Sequence, residues 1–345
     1  MGVWSKLQRL GWAIKYSVVL LYVHLQFLAI GGHSMLQDRI TQRRHNKTEL
    51  PRRSGQVAIV TGGARGIGIK VVQMLLECDM TVIVACRKPE AGQKVIDKIR
   101  KSGVTSGRAE VMRFDNADFK VVRGFVAEFT KKYSQLHVLI NNAGTFVNTY
   151  QETVDGFEWI YAVNYLGHFL LTMLLLPSLR RAATNEQWAR VVMVSSVAYM
   201  FGDIDFDDVN RKKFYVHGQA YCQSKLAQVL FVRKLARMFD ELSVPVAINA
   251  VHPGAVGTDI FDETTFYYLK PLLKLVLKNL TEGAIPIVYA GVDPRMERIS
   301  GWYMTNCRKA RVKKYCDDEA AQDRMFEVSL KHVGLRDYDF FAESV

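Results

Sequence analysis

The stretch Val57–Gly68, with sequence VAIVTGGARGIG, decides the fold of this chain. Four apolar residues, typical of a strand buried on both faces, lead into glycines spaced G-x-x-x-G-x-G and then into an amphipathic run. Glycines permit a sharp turn and a close approach of a ligand to the main chain, and the free N–H groups of a helix N-terminus favour a phosphate. Such turns also occur without ligands, but the strand before it and the helix after it favour a nucleotide-binding α/β unit.

Downstream of this unit, short apolar runs alternate with amphipathic runs that are long enough to cross between parallel strands. The predicted strands are Gln56–Thr61, Met80–Cys86, Ala109–Asp115, Leu136–Asn141, Arg190–Ser195 and Pro245–Val251. The predicted helices are Ile67–Glu77, Glu90–Lys101, Asp118–Tyr133, Asp155–Arg181 and Ala220–Asp240. This order predicts a single α/β domain over residues 55–305, a doubly wound parallel sheet of the Rossmann-like type, and a C-terminal extension over 306–345.

The composition is that of an ordinary globular protein: 345 residues, of which 49% are hydrophobic and 23% charged. It excludes disordered, collagen-like and disulfide-scaffold proteins. The net charge of +12 is concentrated at the N-terminus, because residues 1–53 hold nine Lys or Arg and two acidic residues. The five cysteines are odd in number and lack paired metal-ligand spacing, which favours a reducing compartment and predicts no metal site.

The N-terminal segment Leu10–Ile30 is 21 residues long and mostly apolar, roughly enough to cross a hydrocarbon core of about 30 Å as a helix. His24 and Gln26 lie deep within it and carry a desolvation cost unless they face a partner. We predict a membrane anchor over residues 1–32 and a basic linker over 33–54, with membrane lipid and not nucleic acid as the partner. The basic residues that follow the segment predict a domain on the cytosolic side of the endoplasmic reticulum membrane. A cleaved secretory signal is the alternative.

The residues after the second predicted strand indicate which dinucleotide binds. An acidic residue there would accept hydrogen bonds from a ribose 2′-hydroxyl, but the chain has Cys86-Arg87-Lys88, and a cation suits a 2′-phosphate. Arg65 in the glycine turn is placed to join Arg87, with two solvated surface arginines as the alternative. We predict NADP(H) and not NAD(H), with Asp115 bonding the adenine and Asn141–Gly144 lying beside the cofactor.

A phenol and an ammonium stand four residues apart at Tyr221 and Lys225, on one face of a predicted helix. A phenol has an ordinary pKa of about 10, so acid–base work at neutral pH needs a nearby positive charge, which Lys225 can supply. This spacing is common by chance and alone indicates little. Ser196, with Ser195 as the alternative, lies at the carboxyl end of the fifth predicted strand and faces the same crevice, so the three side chains together predict a catalytic site.

In kind and in order, the motifs resemble those of the short-chain dehydrogenase/reductase superfamily over roughly residues 55–305. They are TGxxxGIG at Thr61–Gly68, NNAG at Asn141–Gly144, a helix Asn at Asn164, Ser196, YxxxK at Tyr221 and Lys225, and a PG turn at Pro253-Gly254. The runs VNYLGHFLLT and HPGAVGTD resemble the membrane-associated, retinol dehydrogenase-like branch. One departure is Asn116 after Asp115, where the family usually has an apolar residue.

The resemblance implies a role for each motif. Tyr221 is the general acid/base that gives a proton to a carbonyl oxygen or takes one from an alcohol. Lys225 lowers the pKa of Tyr221 and binds the nicotinamide ribose, Ser196 polarises the substrate oxygen, and Asn164 carries a water-linked proton relay. Thr258 bonds the carboxamide or the phosphates. The residues predicted to hold the cofactor are Gly62, Arg65, Gly66, Ile67, Gly68, Arg87, Asp115, Asn142, Ala143, Gly144, Tyr221, Lys225, Pro253, Gly254 and Thr258.

The segment Phe261–Leu280 is rich in Phe, Tyr and Leu and lies where the superfamily closes over substrate. Beside a membrane anchor, it predicts a lipophilic alcohol or aldehyde, with retinoid, steroid, polyprenoid and fatty-aldehyde substrates all open. A helix that packs on the core, or an interface in a homodimer, is the alternative for this segment. Two classes of function remain: an NADP(H)-dependent oxidoreductase, and a non-catalytic NADP(H)-binding interaction protein of the same fold.

Overall fold

A computed structural model describes residues 3–40, 45–257, 277–338 and 340. Its main helices are α1 (Val3–Ile40), α2 (Ile67–Glu77), α3 (Pro89–Lys101), α4 (Phe119–Lys132), α5 (Gly167–Ala182), α6 (His217–Glu241), α7 (Leu280–Val292) and α8 (Glu319–His332). The strands are β1 (Val57–Thr61), β2 (Thr81–Cys86), β3 (Arg108–Arg113), β4 (Val138–Asn141), β5 (Ala189–Val194), β6 (Val246–His252), β7 (Tyr303–Thr305) and β8 (Arg308–Lys309). The predicted Rossmann-like fold with an N-terminal apolar helix is confirmed.

The strands form one sheet in the order β3-β2-β1-β4-β5-β6-β7-β8. Neighbouring strands are parallel except β7 and β8, which pair antiparallel. From β1 the chain adds β2 and β3 on one side, and from β4 it adds the later strands on the other side. The strand order therefore reverses between β1 and β4. Ligands of open α/β sheets bind at the carboxyl ends of the strands beside such a reversal.

Helices cover both faces of the sheet, as the doubly apolar strands require. On one face α2, α3 and α7 bury a cluster that includes Val72, Val95 and Ile287. On the other face α4, α5, α6 and α8 bury a second cluster that includes Leu170 and Leu230. The two packed layers fix the strand ends, and with them the loops that form the site.

The strands β7 and β8 and the helix α7 were not among the elements predicted from the sequence. The two strands have only three and two residues, too short for a periodic pattern to show. Helix α7 begins at Leu280, the last residue of the segment Phe261–Leu280 that is predicted to form a lid over the substrate. A capping box between Asn279 and Glu282 defines the start of the helix. Residues 261–276 of that segment lie outside the described residues. Farther on, α8 packs on α6 and buries Met325 and Phe326 in the core.

Helix α1 has 38 residues and is longer than the apolar segment that predicts it. The stretch Leu10–Leu36 within α1 is long and apolar enough to cross a membrane, and only 6% of its most apolar part is buried. The helical stretch Trp159–Ala182 is also long and apolar enough, but 83% of its most apolar part is buried, because it belongs to the core of the domain. The exposed apolar surface of α1 supports membrane anchoring.

Candidate active site

The glycine turn between β1 and α2 has the shape of a phosphate cradle. Gly62 and Gly66 have φ values of 66° and 52°, a region that side chains rarely adopt. A Cβ on Gly68 would lie 2.3 Å from the carbonyl oxygen of Gly62, so the turn closes only with glycine at this position. Helix α2 begins at Ile67 without a side-chain cap and without an acidic residue in its first turn. Its N–H groups are therefore available to an anionic ligand.

The end of β4 is tied to this turn by hydrogen bonds. The backbone N–H groups of Asn142 and Ala143 donate to the Thr61 hydroxyl at 2.9 and 3.0 Å. The Asn142 side chain donates to the carbonyl oxygen of Thr61 at 2.9 Å, and Arg65 donates to that of Gly144 at 3.0 Å. The two predicted cofactor motifs thus form one rigid unit at the reversal of the sheet.

The residues predicted to recognise the adenosine lie at neighbouring strand ends. Arg87 follows β2 directly and is exposed, with its guanidinium accessible to a ligand. Asp115 is half-buried, two residues past the end of β3, and one of its carboxylate oxygens accepts a hydrogen bond from Ala117 N–H at 3.0 Å. The carboxyl edge of the sheet therefore carries both side chains.

Asn116, the departure from the family pattern, joins a buried polar network. Its side-chain amide donates to the Val163 carbonyl at 2.8 Å and lies 2.9 Å from Nε2 of His168. The Thr61 hydroxyl lies 2.9 Å from the same nitrogen, and Nδ1 of His168 lies 3.2 Å from the Asn164 carbonyl oxygen. Burial lowers the pKa of His168 to about 3, so the ring is neutral and Nδ1–H donates to that carbonyl. Asn116 and His168 connect the glycine turn to Asn164.

Replacing Asn116 by Leu, the kind of residue the family pattern has there, is expected to lower the free energy of unfolding by about 1–3 kcal/mol. The change leaves the Val163 carbonyl and His168 Nε2 without this donor in a buried place. Urea denaturation of the single variants and of Asn116→Leu/His168→Leu measures the coupling. The double variant should lose less stability than the two single losses added together, and simple additivity would contradict the network.

The predicted catalytic side chains converge at the carboxyl end of β5. Tyr221 and Lys225 lie one turn apart on α6 and are only 6% and 3% exposed. Ser196 lies two residues past β5, where its hydroxyl caps a short 3₁₀ turn and accepts from Ala198 N–H at 3.2 Å. The Lys225 ammonium donates to the Val194 carbonyl at 3.0 Å and lies 5.5 Å from the centre of the Tyr221 ring.

Burial dominates the electrostatics of this group. It raises the pKa of Tyr221 well above its usual range, and a hydrogen bond with Ser196, a smaller effect, lowers it. Burial also lowers the pKa of Lys225 to about 7, because an ammonium loses hydration in this place. The lowering of the Tyr221 pKa by Lys225, implied by the family resemblance, is not seen in the chain alone. Both groups are therefore close to electrically neutral above pH 7.

Asn164 lies in a π turn, Ala162–Leu166, just before α5. Its side chain accepts from Thr145 N–H at 2.8 Å and donates to the Ser224 hydroxyl at 3.1 Å. Its main-chain oxygen accepts from the buried Gln228 side chain at 2.7 Å. Sequence analysis missed Gln228, although its place seven residues after Tyr221 puts it on the same face of the helix. The water-linked relay through Asn164 stays a prediction.

The PG turn follows β6 as expected. Gly254 has a φ of 96°, and the Lys278 ammonium donates to the Pro253 carbonyl at 3.3 Å. Thr258 and the greater part of the predicted lid lie outside the described residues. Within the described ranges, no three His, Cys, Asp or Glu side chains are grouped to hold a metal ion. The glycine cradle and the group of Tyr221, Lys225 and Ser196 lie on the same carboxyl edge of the sheet, an arrangement that fits a dinucleotide.

Comparison with known proteins identifies the family to which the chain belongs. The family model described as short chain dehydrogenase matches residues 56–266, and the chain belongs to this family, in its retinol dehydrogenase-like branch. A polyprenol dehydrogenase of Danio rerio is 36% identical over 312 residues, covering 90% of this chain and 96% of that protein. Human retinol dehydrogenase 12 is 37% identical over 283 residues, covering 82% of this chain and 87% of that protein.

Solved structures share the fold. An uncharacterized protein from Mycobacterium paratuberculosis superposes with a TM-score of 0.68 at 28% identity, covering 83% of this chain and 96% of that one. The complex of RhlG with NADP from Pseudomonas aeruginosa has a TM-score of 0.60 at 23% identity and covers 74% of this chain and 95% of that one. At this identity the second likeness concerns the fold alone.

Proposed function

We propose that this protein is an NADP(H)-dependent oxidoreductase that interconverts a lipophilic alcohol and its aldehyde or ketone, with Tyr221 as acid/base. The observation that carries the proposal is the convergence of Tyr221, Lys225 and Ser196 at the end of β5, on the same sheet edge as an uncapped glycine cradle. A buried phenol beside a serine hydroxyl is suited to exchange one proton with a substrate oxygen.

When bound, the nicotinamide supplies or accepts the hydride. Tyr221 handles the proton: burial raises its pKa, so its hydroxyl is protonated at neutral pH and able to donate to a carbonyl oxygen. The Ser196 hydroxyl donates a second hydrogen bond to that oxygen and stabilises its developing charge. The negative charge that the proton transfer leaves on Tyr221 favours the ammonium form of Lys225, which lies 5.5 Å from the ring centre and stabilises the phenolate.

The substrate class follows from the surroundings of the site and from the relatives. Proteins similar to this chain are named polyprenol dehydrogenase and retinol dehydrogenase, and both names denote alcohols with long unsaturated apolar chains. An exposed apolar helix at the N-terminus supports a membrane location, where such substrates dissolve. We propose an isoprenoid alcohol or aldehyde as substrate, at the cytosolic face of the endoplasmic reticulum.

The test uses membranes that contain the full chain, NADPH, and a panel of retinal, a polyprenal, a steroid ketone and a long-chain aldehyde. NADPH oxidation, followed by absorbance, should be faster with at least one isoprenoid aldehyde than in membranes without the protein. Tight NADPH binding with no turnover of any member would refute the enzyme and favour a non-catalytic NADP(H)-binding protein.

The preference for NADP(H) has its own test at Arg87. Replacing Arg87 by Ala should raise the Kd for NADPH about tenfold to hundredfold, because a charge-assisted hydrogen bond to a 2′-phosphate contributes about 1.5–3 kcal/mol. The Kd for NADH should not change. Lys101→Ala, which removes one positive charge at the opposite end of α3, is the matched control. Equal losses of NADPH and NADH affinity in Arg87→Ala would contradict the assignment.

A further inference from the structure

Helix α1 does more than present an apolar surface, because one of its faces is packed against the domain. This inner face consists of Tyr16, Val23, Phe27 and Ser34, whose spacings of seven, four and seven residues place them in one stripe. Val23 and Ser34 are buried, and the Ser34 hydroxyl lies 3.2 Å from Nε2 of His252 at the end of β6. Its two ends, Tyr16 and Ser34, are 18 positions apart, which is about 27 Å along the helix.

Contacts occur along this whole length. At one end the ring of Tyr16 lies 6.1 Å from that of Phe214, just before α6. In the middle, Val23 packs directly on the backbone of α6, where a Cβ on Gly218 would come within 2.4 Å of it. Because these contacts extend from before α6 to the end of β6, α1 lies along the domain beside the carboxyl ends of the strands. It does not project away from the domain.

The middle of the inner face meets the catalytic tyrosine. The ring of Phe27 is stacked on that of Phe146, with centres 5.7 Å apart and planes 16° apart, and its centre is 6.3 Å from that of Tyr221. Phe146 is in turn 4.7 Å from Tyr221. These three rings belong to one apolar cluster with Ile160 and Ala220. An apolar wall therefore adjoins the group proposed to exchange the proton.

The opposite face of α1 is apolar and exposed. Its large side chains are more than half exposed to solvent in the chain alone: Leu10, Ile14, Val18, Leu21, Tyr22, Leu25, Leu28 and Leu36. An exposed apolar surface of this kind is suited to contact with hydrocarbon. The same helix thus has a surface suited to lipid on one side and the catalytic cluster on the other.

We propose that α1 is a wall of the substrate site, and that Phe27 determines specificity by contacting the apolar chain of a lipid-derived alcohol or aldehyde while its oxygen reaches Tyr221. The inference rests on the proposed function and deepens it, since it assigns part of the substrate site to the membrane-binding helix. Aromatic rings suit an unsaturated isoprenoid chain, because they offer a large flat apolar contact with little conformational entropy to lose.

The test compares Phe27→Ala with Leu28→Ala, its neighbour on the exposed face, in full-length protein reconstituted in lipid vesicles. With retinal, Phe27→Ala should lower kcat/KM roughly tenfold to a hundredfold, mainly through KM, since a lost apolar contact is worth about 1–3 kcal/mol. With a small water-soluble aldehyde, kcat/KM should not change. Leu28→Ala should match the wild type with both substrates, and Phe27→Leu should recover most of the loss.

Two controls separate the possible failures. NADPH affinity and the fraction of protein that sediments with vesicles should be the same in all variants, which excludes unfolding and loss of the anchor. If the wild type is inactive, the proposed function is refuted. A retinol fluorescence titration measures substrate binding without turnover, so it tests the role of α1 even then. Equal retinol affinity in wild type and Phe27→Ala, or equal losses with retinal and the small aldehyde, would overturn the assignment of Phe27.

Discussion

Replacing Tyr221 by Phe is expected to lower kcat/KM for the lipophilic substrate by about 10²- to 10⁴-fold. The substitution removes the phenol oxygen and keeps the ring that packs against Phe146. Since burial keeps the Tyr221 hydroxyl protonated at neutral pH, the variant loses the proton donor itself and not merely a charge. NADPH oxidation in membranes measures the rate, and NADPH fluorescence measures cofactor binding, which should change far less than the rate.

Tyr165→Phe is the matched control for this variant. Tyr165 is also buried, and its hydroxyl is hydrogen-bonded to that of Ser329 on α8 at 2.7 Å, within the core. Removing that hydroxyl should cost stability and leave kcat/KM near the wild-type value. If Tyr221→Phe retained the activity of Tyr165→Phe, the proton would come from another group, and the proposed acid/base role would be wrong.

Local signals made the nucleotide half of the fold predictable. The bounds predicted for α2 are those observed, because the glycine turn fixes its start within a few residues of sequence. The departure at Asn116 could be seen in the sequence, but its partners could not. His168 lies 52 positions away, and only the packing of the start of α5 against the loop after β3 brings the two together.

Features that depend on distant parts of the chain were missed. The strand β7 has three residues and exists because the edge of β6 offers it a partner. The inner face of α1 is hidden in an almost uniformly apolar segment, where no periodic pattern marks one side. The pKa of Tyr221 shows the same limit: spacing predicts that an ammonium is near, but burial, which depends on the whole fold, determines the direction of the shift.

The buried lysine leads to the second large effect. Lys225→Met should abolish turnover and yet stabilise the cofactor-free protein at pH 6 to 7, by an amount on the order of a few kcal/mol. Burial lowers the pKa of Lys225 to about 7 in the folded chain, against an ordinary value of 10.5. Below pH 7 the folded protein must therefore hold a poorly hydrated ammonium, which methionine does not have.

The pH dependence of this difference follows from proton binding. Between about pH 7 and 10.5 the unfolded chain holds the Lys225 proton and the folded chain releases it, so the free energy of unfolding of the wild type rises with pH relative to that of Lys225→Met. Denaturant titrations at pH 6, 8 and 10 should show the advantage of the variant shrinking steadily. Lys98→Met, at an exposed position on α3, is the control for the exchange of a lysine for a methionine. If the difference in free energy of unfolding between wild type and Lys225→Met were the same at each pH, Lys225 would have an ordinary pKa. Burial of a cation beside Tyr221 would then not destabilise the folded protein.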